Sequence, residues 1–300
     1  MNRGRLLTWI VPAALLAGCW PVGRWYALRL TDGGDDAWGL LALVTLAAIQ
    51  TARHRRKGGL GKRDSEKAGL IPAGVVALLA MYTVAFVFVP PLVRAAIAVA
   101  ALGCLLHDRR WGGPLPAGGW GLLMLGLPLL ASLQYYLGFP LRVLAARLTV
   151  PLLGMLGVPV AAQGTGLLWR GELVLVDAPC SGLRMLWAGM YLTLALAAWF
   201  GLSWRRTAAA ALGGLAVVVA GNGVRSAALF IKETGLAPLP VWAHAGIGLL
   251  VFAACAAALA AWVRLCAPRP GASRNRKAFD FNVRRSFSLA VNFLRDYTCL

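Results

Sequence analysis

The sequence predicts an all-α fold: a polytopic transmembrane helical bundle of about eight spans, with an interfacial segment ahead of Cys180. Three observations carry that prediction. The 300 residues are 59% hydrophobic and only 14% charged, whereas a soluble domain carries about a quarter charged residues. Apolar runs near the ~20 residues needed to cross a bilayer recur along the chain. Lysines and arginines collect in the connections between those runs. The formal net charge of +19 would point to nucleic acid on a soluble protein. No nucleic-acid motif and no basic stretch interleaved with aromatics is present, so the charge is read as the positive-inside bias of a membrane protein.

Other classes find no support. The six cysteines (19, 104, 180, 255, 266, 299) form no CxxC pair, and the three histidines (54, 107, 244) lie far apart. No metal and no cofactor is therefore expected. Walker A, GxGxxG and HExxH sequences are missing, which removes nucleotide, dinucleotide and zinc-protease readings.

In chain order, Met1–Arg5 is a short basic start, Leu6–Trp20 an apolar run that reads as a first transmembrane helix or a signal sequence, and Trp20–Asp36 a polar connection. Within that first run Leu16-Ala17-Gly18-Cys19 also matches a lipobox, a short pattern that is cheap in an Ala/Leu/Gly-rich chain. Ala37–Ile49 is the second run. Thr51–Lys67, with Arg53, Arg55, Arg56, Lys57, Lys62, Arg63 and Lys67, is too polar to cross and marks the cytoplasmic side. Gly69–Val89 spans, Pro90-Pro91 turns the chain, and Leu92–Leu106 returns to basic His107–Trp111. Gly118–Leu137 spans outward. Phe139–Val176 holds Arg142, Arg147 and Pro151 in apolar surroundings and reads as an interfacial or re-entrant segment. The end of Leu167–Val176 alternates loosely, as short extended structure would. Met185–Leu202, Thr207–Ile231 and Val241–Val263 complete the spans, and Arg264–Leu300 is a basic tail with no sustained apolar period. Both ends then lie inside. The inner segments (1–5, 51–67, 107–117, 203–206 and 264–300) hold most of the 30 Lys and Arg. Three regions follow: 1–68 with the first spans and the basic loop, 69–264 with the remaining spans, and 265–300 as the tail.

This topology brings three unusual residues to the outer side. In Leu173–Leu186, Pro179 fits the first position of a helix. Cys180 would then occupy the first turn, where the helix dipole favours a thiolate; a small apolar residue at a helix start is the plainer reading. Asp177 can cap that helix or pair with Arg184. Arg184 can bind a substrate carboxylate, stabilise the thiolate or anchor the helix at the headgroups. Arg225 sits six residues before the end of its run, roughly 9 Å deep at ~1.5 Å per residue, with Asn222 three residues earlier on the same face. A charge so placed faces a polar cavity or snorkels to the headgroups. His244, near the start of the last run, suits proton transfer or an interfacial position.

At these residues the sequence resembles the exosortase/archaeosortase family of multi-pass membrane cysteine transpeptidases. The likeness rests on Cys180-Ser181-Gly182-Leu183-Arg184, on Asn222-Gly223-Val224-Arg225, and on His244 with Gly248 and Phe252, and it covers roughly Gly69–Val263. Met185 stands where a small residue is commoner. The resemblance implies a catalytic set of Cys180 as nucleophile, Arg225 and His244, with Ser181, Asp177, Arg184 and Asn222 as candidates for binding or support. It implies an enzyme of the bacterial inner membrane whose site faces the periplasm or exterior. Such an enzyme cuts the C-terminal sorting tails (PEP-CTERM-like) of membrane-anchored substrate proteins through a thioester, and many accompany exopolysaccharide systems. The bilayer and those tails are the partners expected, and nucleic acid is not. The competing readings are a transporter, which would spread polar residues through the depth of several spans, and a thiol-dependent acyltransferase.

Overall fold

The computed structural model describes residues 13–15, 17–31, 37–56, 73–107, 114–175 and 181–268. The helices are α1 (Trp20–Thr31), α2 (Trp38–Arg56), α3 (Ala73–Ala85), α4 (Pro91–His107), α5 (Ala117–Leu125), α6 (Leu130–Met155), α7 (Leu183–Phe200), α8 (Trp204–Glu233) and α9 (Ala243–Cys266). Strands β1 (Ala161–Gln163), β2 (Gly166–Trp169) and β3 (Glu172–Leu175) lie between α6 and α7. The helices α6, α7, α8 and α9, of 26, 18, 30 and 24 residues, are long and apolar enough to cross a membrane; α3 and α4 are apolar but shorter. This is a helical membrane protein. The eight-span count stays an expectation, because the described residues contain four helices both long and apolar enough to span.

The chain packs as two compact units. One comprises Met1–Ser132 with Leu194–Thr207, the other Leu133–Thr193 with Ala208–Leu300. In the first, Pro90-Pro91 turns the chain as expected, and Pro91 opens α4, where its missing N–H costs nothing. Val75, Ala101 and Leu105 bury against Leu15, and Tyr82, Ile97 and Ala98 against Cys19. The α5 helix approaches α7 at Gly118, where an added Cβ would meet the backbone of Leu194 and Ala198. Small residues that bring helices this close are the usual packing device in a bilayer.

Several boundaries differ from the sequence reading, beginning with α1, which occupies Trp20–Thr31 where a polar connection is expected. The expected span Gly118–Leu137 breaks at Gly126–Leu129, where Pro128 interrupts the helical ladder. Phe139–Leu175 is not one interfacial segment: its first part continues α6 through Pro140 and Pro151 to Met155. Prolines are tolerated inside membrane helices where the freed backbone groups find other partners. Arg142, which suggested an interfacial position, is half-buried and turns its Nε back to the Gly138 carbonyl at 3.4 Å.

The second part is a small antiparallel sheet in the order β1-β2-β3, an addition to the all-α expectation. Ala161 pairs with Leu168, and Trp169 with Glu172. The β2–β3 turn places Arg170 and Gly171 at φ of 52° and 85°, the two positive values that a tight two-residue hairpin requires. Leu167 and Trp169 carry the sheet onto α6 and α8: Leu167 buries with Ala146, Leu153, Ala227 and Phe230, and the Trp169 ring meets Phe230 edge-on at 5.9 Å.

Candidate active site

The site is built around one turn of α8, Gly221-Asn222-Gly223-Val224-Arg225. Three neighbours close on it, all within the second unit. A Cβ on Gly223 would stand 3.0 Å from the Leu148 Cβ of α6. One on Gly221 would run into the Cys255 sulfur of α9 and lie 3.0 Å from Met185 Cε of α7. Between those two glycines the Asn222 amide reaches Gly182, where an added Cβ would fall 2.5 Å from its Cγ. Glycine is thus required at 182 twice over, because its φ of +80° is also one that L side chains rarely adopt.

That conformation also decides where α7 starts. The Gly182 carbonyl accepts the first helical bond, from Leu186 N–H at 2.8 Å. The Ser181 hydroxyl accepts from Leu183 N–H at 3.4 Å, satisfying one donor of the open helix end. The expected start at Pro179, with Cys180 in the first turn, falls on residues outside those described, and the α-helix α7 opens at Leu183. The cause is Gly182: a positive φ cannot continue a right-handed helix. Arg184 stands exposed near the start of α7 and has an interaction partner. Cys180 and Asp177 lie outside the described residues. Ser181 and Asn222 are buried, and both line a narrow, mostly apolar cleft with Leu144 and Leu148 of α6 and Val218 of α8.

Arg225, three residues beyond Asn222, turns to α9. Its Nε lies 3.5 Å from the position a Cβ on Gly248 would take. With only hydrogen there, the guanidinium rests against the α9 backbone. Arg225 Nε is buried and has no hydrogen-bond partner among the described residues, in a setting where an unsatisfied polar atom is costly. His244 precedes Gly248 by one helical turn and is the second residue of α9, closer to the helix end than the sequence reading placed it. Phe252, one turn beyond Gly248, packs with Met185, Val218, Cys255 and Leu259.

Sequence reasoning passed over Glu233, the last residue of α8. Its Oε1 lies 3.1 Å from His244 Nδ1 and 2.9 Å from Lys232 Nζ. It stands beyond Ile231, where the apolar run ends, and bonds from Lys232 and His244 hold its carboxyl below the usual carboxylate range. The available signal was rarity: the chain has only 11 acidic residues, and this one lies at the same end of the helix as Arg225.

Long apolar helices carrying a polar cluster near one end define a multi-pass membrane protein with a candidate site between α7, α8 and α9. A model of the family described as Transmembrane exosortase (Exosortase_EpsH) matches residues 5–261, and the chain belongs to that family. The match reaches back to residue 5, beyond the Gly69–Val263 stretch in which the motifs alone are legible. Membership supports a membrane transpeptidase role in general. No curated protein and no solved structure gives a match.

Proposed function

We propose that the protein is a membrane cysteine protease and transpeptidase that removes C-terminal sorting tails of exported proteins at the outer face of the bacterial inner membrane. One observation carries this reading. Two residues three apart on α8, Asn222 and Arg225, contact Gly182 and Gly248 respectively. The first contact reaches the stretch that bears Cys180, and the second reaches the helix that bears His244. Family membership supplies the general class.

In the mechanism, the Cys180 thiol gives its proton to His244 and the sulfur attacks the scissile carbonyl. The guanidinium of Arg225, permanently charged and with its buried Nε unbonded among the described residues, stabilises the developing oxyanion or holds the peptide; its charge makes it a poor base. As the C–N bond breaks, His244 returns the proton to the leaving amine, and a thioester remains on Cys180. An acceptor amine or water then releases the shortened protein. Asn222, Ser181, Arg184 and Asp177 support the nucleophile's segment or the substrate.

The test is co-expression with a membrane protein ending in a PEP-like motif, one apolar helix and a basic cluster. Tail removal is expected with the native chain and not with Cys180→Ala. Mass spectrometry is expected to find the acyl adduct on Cys180. Unchanged processing by Cys180→Ala sinks the mechanism, and an acyl chain of lipid origin on the thiol points to an acyltransferase instead.

A further inference from the structure

Glu233 and His244 meet across the turn that joins α8 to α9. Gly235, at φ +71°, reverses the chain after α8, and the Ala237 N–H returns to the Ile231 carbonyl at 3.4 Å. The His244 N–H reaches the Val241 carbonyl at 3.3 Å as α9 begins. The contact is thus set by a short local connection. Glu233 is held from its other neighbour too, since Lys232, with only 13% of its side chain exposed, bonds the same carboxylate oxygen.

A carboxylate only accepts hydrogen bonds, so the 3.1 Å contact puts the proton on Nδ1 of His244. A neutral imidazole with its proton there carries its lone pair on Nε2. We propose that Glu233 is a positioning residue that holds His244 in the Nδ1–H tautomer and leaves Nε2 as the proton acceptor. This deepens, and rests on, the reading of His244 as the residue that transfers the proton. When the Cys180 proton moves to Nε2, the sulfur keeps the electron pair and the ring becomes an imidazolium. Its Nδ1–H bond to Glu233 is then charge-assisted on both sides. When the leaving amine takes the Nε2 proton, the ring returns to the same neutral tautomer. His244 and Glu233 are about half exposed, at 47% and 51%. Such a pair adds little to stability, so losing it should alter the ring's proton position and not the fold.

The experiment uses the full chain in lipid nanodiscs with 15N-labelled histidine. The signals of His244 are assigned by their loss in His244→Gln. At alkaline pH the native chain and Glu233→Asp are expected to show the Nδ1–H tautomer. Glu233→Ala should show the Nε2–H form that an unconstrained imidazole favours. An Nε2–H ring in the native chain, or no change in Glu233→Ala, overturns the proposal. A second readout is the rate at which iodoacetamide alkylates Cys180, followed peptide by peptide. Glu233→Ala and His244→Gln are each expected to slow it roughly tenfold, the double variant no further, and Glu233→Asp to restore it. Unchanged alkylation in His244→Gln, with the tautomer as expected, overturns the proton-transfer reading of His244 and with it the part Glu233 plays in catalysis.

Discussion

The two halves of the candidate site are built on opposite principles. Around Gly182 and Asn222 the chain is packed so closely that a single added carbon has no room. Around Glu233 and His244 the contact is made by charge and hydrogen bonding and both side chains are about half exposed, while Arg225 nearby rests against Gly248. The packed half places next to Cys180 a turn whose positive φ glycine adopts at no steric cost. The open half leaves polar groups where a substrate can reach them. Volume should therefore govern the first half, and charge and geometry the second.

The largest separation of the two is expected from Arg225→Lys. It keeps the charge and loses the planar fork, so tail processing should fall by roughly a hundredfold, as for loss of an oxyanion donor. The thermal midpoint in detergent should stay put. A large fall in midpoint would show that Arg225 belongs to the packed half instead.

Gly182→Ala should act the other way, through the fold. A left-handed conformation costs a residue with a Cβ about 1–2 kcal/mol, and the collision with Asn222 adds a strain of about 1–3 kcal/mol. Combining it with Asn222→Ala should recover the collision and not the backbone cost, as measured by reversible unfolding in mixed micelles. Gly221→Ala lies in a regular helical turn and should cost only the collision, about 1–3 kcal/mol. Adding Cys255→Ala should restore it almost completely, because the obstructing atom is the Cys255 sulfur. Equal rescue in both pairs would show that the positive φ at Gly182 carries no cost. The smallest effect is expected from Thr149→Val. Thr149 is fully buried, and its hydroxyl bonds the Ala145 carbonyl at 2.8 Å and reaches the Gly223 carbonyl of α8 at 3.5 Å. Interhelical bonds in membranes are typically worth about 0.6 kcal/mol, and processing should be unaffected.

Much of the helical order was legible because run length and charge bias are local properties. The α3–α4 turn at Pro90-Pro91, the ends of α8 and α9, and extended structure just before residue 176 all follow from residues read in place. The errors came where a local signal was weighed against packing. Arg142, Arg147 and Pro151 suggested an interfacial segment, while the folded chain carries all three in the long helix α6. The start of α7 at Leu183, next to the positive φ of Gly182, carried no such signal in the sequence. The spacing of Asn222 and Arg225 was readable on α8, but the glycines they contact, 182 and 248, lie 40 residues before the one and 23 after the other. Glu233 was passed over because an acid at the end of a span reads as solvated until a partner is seen.

Composition and apolar run length by themselves determined that this chain is a helical membrane protein, because a bilayer demands a continuous apolar stretch and rewards basic residues on one side. The motif residues, taken in order, pointed to the transmembrane exosortase family. Which helix faces which was decided only by the tertiary structure. Glycines at 182, 221, 223 and 248 let α6, α7, α8 and α9 approach at one level, and such close approaches depend on atoms far apart in sequence. The contact proposed to hold the proton on Nδ1 of His244 is more local, made by Glu233 across the short turn between α8 and α9, and it shows only once that turn is folded.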